Sequence, residues 1–159
     1  MNQVGIIRTS LNERGPAEFP RQLLAIMIAS VCAIVANVIL YFILDQVVGV
    51  NFIVPSEPPG EVGTIPAGDV VIFSVIFSIG AGLLFLIVAN SFRKPAPLFI
   101  GISLAVLLIS FLLPLKIPTP PTSMATKWSL VSMHLLGALV LVPLLVAIGL
   151  PKRAAAAPG

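Results

Sequence analysis

The stretch QLLAIMIASVCAIVANVILYFIL, residues 22–44, contains no Asp, Glu, Lys or Arg. A helix of about 20 apolar residues crosses the ~30 Å hydrocarbon core of a bilayer, so this segment is long enough to span. An unpaired backbone amide in lipid costs several kcal/mol, and only a helix satisfies all of them within one segment. Three further segments of the same character follow at residues 70–90, 96–115 and 128–150. The expected fold is therefore an all-α membrane protein, a four-transmembrane-helix antiparallel bundle. Residues 1–21 read as a cytoplasmic N-terminal segment, 22–150 as the four-helix transmembrane domain and 151–159 as a cytoplasmic tail.

Composition agrees with that reading. Only 9% of the 159 residues are charged, against about 25% in soluble domains. Four spans and their loops use nearly the whole length, which leaves no room for a separate soluble domain. The net charge of +3 does not point to nucleic acid, because the positive residues form no stripe and cluster at span ends. The single cysteine, Cys32, lies inside the first span and excludes an intramolecular disulfide. The first apolar run exceeds the 7–15-residue core of a signal peptide. The stretch Ala29-Ser30-Val31-Cys32 has a large Val before the cysteine and apolar sequence beyond it, so the segment is kept as a span.

Charge gives an orientation. Arg8, Arg14, Arg21, Arg93, Lys94, Lys152 and Arg153 fall on one side of the four crossings, and Lys116 and Lys127 on the other. The positive-inside rule places both termini in the cytoplasm. The loop between the first two spans holds Pro55, Pro58, Pro59 and Pro66 and is expected to be extended and irregular. Its stretch Val50-Asn51-Phe52-Ile53-Val54 is apolar enough to lie on the bundle rim or in the headgroup layer. Thr122 or Ser123 can cap the fourth helix, Asp69 can cap the second, and Pro95 and Pro97 suit a first helical turn. Pro143 is expected to kink the fourth.

Small residues recur at helical spacing: Ala25, Ala29 and Ala33, then Asn37 and Tyr41; Ser74, Ser78 and Gly82; Gly101 and Ala105. Such rows let helix backbones approach closely, which drives association in lipid. Two strongly polar residues lie within the spans, Asn37 and His134. At 1.5 Å per residue each sits roughly 9–11 Å below the outer interface. Ser74, Ser78, Ser110 and Ser132 lie near that level. Asn37, Ser74, Ser78, Ser110, Ser132 and His134 thus form a candidate polar cluster, since polar groups in a bilayer face the protein interior and pair with one another. Asn37 and His134 are expected to point inward, within direct or one-water reach. The cluster reads first as an interhelical hydrogen-bond clamp and second as a small outward-facing pocket with His134 as a proton-sensitive group.

No catalytic, cofactor-binding or metal-ligating residue is assigned. One His and one Cys do not make a zinc site, and no buried acid orients the His for nucleophilic catalysis. His134 is a formal axial ligand for a tetrapyrrole, with Met27, Met124 or Met133 as second ligand, but packing is the preferred reading of those methionines.

Ala36-Asn37-Val38-Ile39-Leu40-Tyr41 in the first span, a Pro-containing outer loop, and Ser132-Met133-His134-Leu135-Leu136 followed by Val142-Pro143 in the fourth carry a likeness. On these residues the chain resembles a group of small bacterial four-span membrane proteins catalogued only as a domain of unknown function. The resemblance runs from about Arg21 to Leu150. It implies a bacterial inner-membrane protein and supplies no activity. The expected function is non-enzymatic: an accessory subunit of a larger membrane complex, or a small homo-oligomer, acting through helix packing. The expected partners are the lipid bilayer and either that complex or a second copy, with no nucleic acid. The rival reading is a small transporter or ligand-binding protein built around Asn37 and His134.

Overall fold

A computed structural model describes residues 18–56 and 61–151. Arg8, Arg14, Glu57, Pro58, Pro59, Lys152 and Arg153, with most of both terminal segments, lie outside the described residues. Helix α1 (Glu18–Phe42) continues through a π-helical turn, Ile43–Val47. Strands β1 (Ile53–Pro55) and β2 (Val62–Thr64) follow, then α2 (Ala67–Ser91) and α3 (Pro95–Ser110). The short α4 (Leu112–Leu115) extends α3, and α5 (Met124–Gly149) ends the fold. The four rods so formed are 30, 25, 21 and 26 residues long and apolar enough to cross a membrane. The chain is a four-helix membrane bundle.

Local chemistry explains the helix ends. Pro95 opens α3, where its missing amide hydrogen has no intrahelical role. Ser123 caps α5, its Oγ accepting a hydrogen bond from the Thr126 amide at 3.0 Å. This cap starts α5 one turn before Trp128, so Lys127 belongs to the helix rather than the loop. Pro66, not Asp69, occupies the cap position of α2. Asp69 lies in the first turn, where a carboxylate suits the positive helix end. Pro143 lies inside α5 and does not end it.

The loop expected to be irregular forms a two-stranded ribbon in its described residues. β1 and β2 pair antiparallel, with Ile53 opposite Thr64 and Pro55 opposite Val62. The β-branched residues Ile53, Val54, Val62 and Thr64 outweigh the prolines, because they suit a pleated, half-buried ribbon. Gly49, at φ +77°, turns the chain from the π-helical turn into this ribbon. Val50 and Phe52 are buried with Tyr41, Val70 and Met133. The loop therefore folds back over one end of the bundle, here called the loop end.

α1 packs most extensively on α5 and next on α2; α3 touches α2 and α5 more thinly. The cause is the small row on α1. Ala25 and Ala29 are fully buried, and Ala33 is nearly so. A Cβ on Gly149 would stand 3.3 Å from the Ala25 Cβ, and one on Gly137 would stand 3.2 Å from Asn37 Nδ2. Between those contacts, Ala29, Ala33, Leu141 and Leu145 share one buried cluster. Beyond them Tyr41 and Met133 share another. Each step of four along α1 is met by a step of four back along α5, as antiparallel i±4 ridges require. The row Val70, Ser74, Ser78 and Gly82 is buried along α2, and a Cβ on Gly82 would meet Ile26 Cγ2 at 2.9 Å. Gly101 and Ala105, by contrast, are exposed on α3.

The end away from the loops is tied by polar groups. Arg21 Nε donates to the Ile148 carbonyl at 2.6 Å, and its Nη2 donates to the Leu150 carbonyl. These are end-of-helix carbonyls of α5, where a cation suits the negative dipole end. Gln22, 2% exposed, accepts from Asn90 Nδ2 at 3.1 Å and links α1 to α2.

A paired substitution tests the close approach. A Cβ on Gly149 would lie 2.5 Å from Phe85 Cζ, and the Phe85 ring is itself held edge-on against buried Phe99. Gly149→Ala should destabilise the bundle by about 1–3 kcal/mol in SDS titration of detergent-solubilised protein. Gly80→Ala, which meets nothing within 4 Å, should change it by less than about 0.5 kcal/mol.

Candidate functional site

The α1 and α2 rows bring Asn37 and Ser74 together. Asn37 Nδ2 donates to Ser74 Oγ at 3.1 Å. The same amide group lies against Gly137 of α5, where any side chain would crowd it. Three helices thus meet at one level, and the glycine is what admits the amide. Asn37 Oδ1 is buried and accepts no hydrogen bond from the described residues. An unmet acceptor in a low-dielectric interior costs about 1–3 kcal/mol, so this carbonyl is a polar group in search of a donor.

His134 behaves differently. Its Nδ1 lies 2.7 Å from the Leu130 carbonyl, four residues back on the same helix. A carbonyl only accepts, so Nδ1 carries a proton and donates it to that oxygen. The ring meets Phe77 of α2 edge-on, with centroids 5.6 Å apart. His134 and Asn37 are both half-buried, and no hydrogen bond joins them. Each is satisfied or stranded on its own terms.

The serines divide in the same way. Ser74 and Ser78 are buried on α2, and Ser74 is the partner of Asn37. Ser110 Oγ donates to the Leu107 carbonyl, and Ser132 Oγ donates to the Ser129 carbonyl, both at 2.7 Å. These hydroxyls bond to their own helices, three residues back, a route open to any helical serine. Within the candidate cluster, Asn37 and Ser74 make an interhelical bond beside Gly137, and His134 of α5 meets Phe77 of α2. Met133 is buried near Tyr41, whereas Met27 and Met124 are exposed.

Sequence reasoning missed the polar contacts at the two ends. Tyr41 Oη donates to the Ile65 carbonyl at 2.9 Å, and its ring stacks on Phe52 at 4.9 Å. Thr126 Oγ1 donates to the Asn51 carbonyl at 2.7 Å. Arg21 shows in the sequence only as a topological charge, not as the partner of α5 carbonyls. A cavity of about 180 Å³ lies between α3 and α5, lined by Ile100, Ser103, Leu104, Leu107, Ala138, Leu139, Val142 and Pro143.

If Asn37 and Ser74 form one interhelical bond, their effects should not add. A double-mutant cycle with Asn37→Ala and Ser74→Ala should give a coupling of about 0.6–1.7 kcal/mol, the range of such bonds in membrane bundles. Additivity within error would remove the bond from any structural role.

No curated protein and no solved structure matches the chain. A family model does match, over residues 17–149, and its description is "Family of unknown function (DUF6069)". Its span takes in all four membrane helices, the loop-end ribbon and the Asn37–Ser74 contact. The chain belongs to the family of unknown function DUF6069.

Proposed function

We propose that this is a non-enzymatic protein of a bacterial inner membrane that works by helix contacts, as a small homo-oligomer or as an accessory subunit of a larger membrane complex. The observation that carries this reading is the outward face of α3. Gly101, Leu104, Ala105 and Leu108 follow helical spacing and are all exposed. A Cβ on Gly101 would meet nothing within 4 Å. On α1 and α2 the equivalent small rows are spent inside the bundle. On α3 the row is free for a helix from another chain, and small residues are what such contacts use.

The polar groups support the same reading. His134 is bonded to its own backbone, and no described hydroxyl or thiol is hydrogen-bonded to it, whereas an activated nucleophile needs a base within reach. The excess of Arg and Lys at the end that carries Arg21, Arg93 and Lys94 supports a cytoplasmic location for both termini.

Native mass spectrometry from mild detergent and from lipid nanodiscs tests the proposal. A defined oligomer or stoichiometric complex is expected, and Ala105→Phe should shift it to the single chain by at least ten-fold without unfolding it. A single chain in both media would overturn the proposal.

A further inference from the structure

We propose that the loop-end segment around Val50 and Phe52 is a movable seal that separates the aqueous phase from the Asn37–Ser74 contact and, when displaced, admits a small hydrogen-bond donor to Asn37 Oδ1. The basis is a stack of two layers in register. Asn37, Ser74 and Gly137 make the lower layer, on α1, α2 and α5. Four residues further toward the loop end on each helix stand Tyr41, Val70 and Met133. Those three, with Val50 and Phe52 of the loop, form one buried cluster. Val50 and Phe52 are 6% and 3% exposed, so the seal is closed in this state.

Three features make the seal separable from the bundle. It is pinned there by few polar contacts: Tyr41 Oη on the Ile65 carbonyl and Thr126 Oγ1 on the Asn51 carbonyl. The rest of its hold is the Tyr41–Phe52 stack and the apolar cluster. It is also joined to α1 through a π-helical turn and Gly49 at positive φ. π-helical turns interrupt the regular ladder and occur often at functional positions. Beneath it lies a buried acceptor without a donor, so opening exchanges an unmet polar group for a solvated one. That gain favours a displaced state that an apolar layer would not. The seal is made of residues 43–56 and 61–66.

Thiol labelling measures the motion. In a Cys32→Ala background, Ser74→Cys is treated with a charged, membrane-impermeant methanethiosulfonate from the loop side. Val62→Cys, exposed on the ribbon, gives the unhindered rate. Ser74→Cys should react at least ten-fold more slowly than Val62→Cys, yet measurably. Phe52→Ala should accelerate it ten-fold or more, and Tyr41→Phe, which keeps the ring but loses the Ile65 bond, several-fold. Equal rates for Ser74→Cys with and without both changes would overturn the proposal. Should Phe52→Ala fail to fold, Tyr41→Phe decides alone. Hydrogen exchange of the unaltered protein is the second arm: the Val50 and Ile65 amides, bonded to Leu44 and Phe52 carbonyls, should exchange at least 100-fold faster than amides in mid-α1 and mid-α5. Exchange at the same rate as those helices would show a rigid cap and refute a movable one.

Discussion

Lipid tails are as apolar as leucine side chains, so burial of apolar surface cannot by itself draw helices together inside a membrane. Close backbone approach must do so, and here it depends on one row of α1. Ala25, Ala29 and Ala33 are buried to within a few per cent of their surface. That row faces α5 on one side and α2 on the other. Gly149 and Gly137 on α5, and Gly82 on α2, remove the side chains that would hold the helices apart. The first and last spans are thereby neighbours, although they stand at opposite ends of the described sequence.

The polar contacts depend on the same register. Asn37 is the next step on the row after Ala33, so it arrives at Ser74 and Gly137 because the alanines before it set the pitch. Tyr41 is the step after that, and it arrives under the loop. At the opposite end Arg21 and Gln22 arrive at the last carbonyls of α5 and at Asn90. One helix face thus carries, from end to end, an ionic cap, an apolar seam, an amide–hydroxyl bond and an aromatic anchor. The large exposed residues, such as Met27, Val31, Ile39 and Leu139, lie on the outward faces, where lipid is the natural neighbour.

Much of this was legible in the sequence, and the reason is local. Spans show as runs without charge, and the helical ends differ from the runs by about a turn because Ser123, Pro66 and the π-helical turn extend the helices past the greasy stretch. The rows on α1 and α2 show as spacing, and Asn37 and Ser74 show as polar residues at similar depth. What spacing cannot supply is which helix a row meets. Gly101 and Ala105 have the same spacing as the α1 row and face outward. Ser110 and Ser132 lie near the right depth and bond to their own helices. The Arg21 contact joins the two ends of the described chain, and nothing near Arg21 signals it. The ribbon was hidden by its prolines, because Pro55 closes β1 and Pro66 follows β2.

The register of α1 on α5 can be read directly by cross-linking. In a Cys32→Ala background, Ala29→Cys is paired with Leu145→Cys, and Ala33→Cys with Leu141→Cys. The offset pairs Ala29→Cys with Leu141→Cys and Ala33→Cys with Leu145→Cys serve as comparison. Mild oxidation in membranes should join both in-register pairs within the single chain and leave the offset pairs largely reduced, because a disulfide needs Cβ atoms about 3.5–4.5 Å apart. Equal cross-linking of offset and in-register pairs, or none at all, would contradict the seam on which every other contact rests.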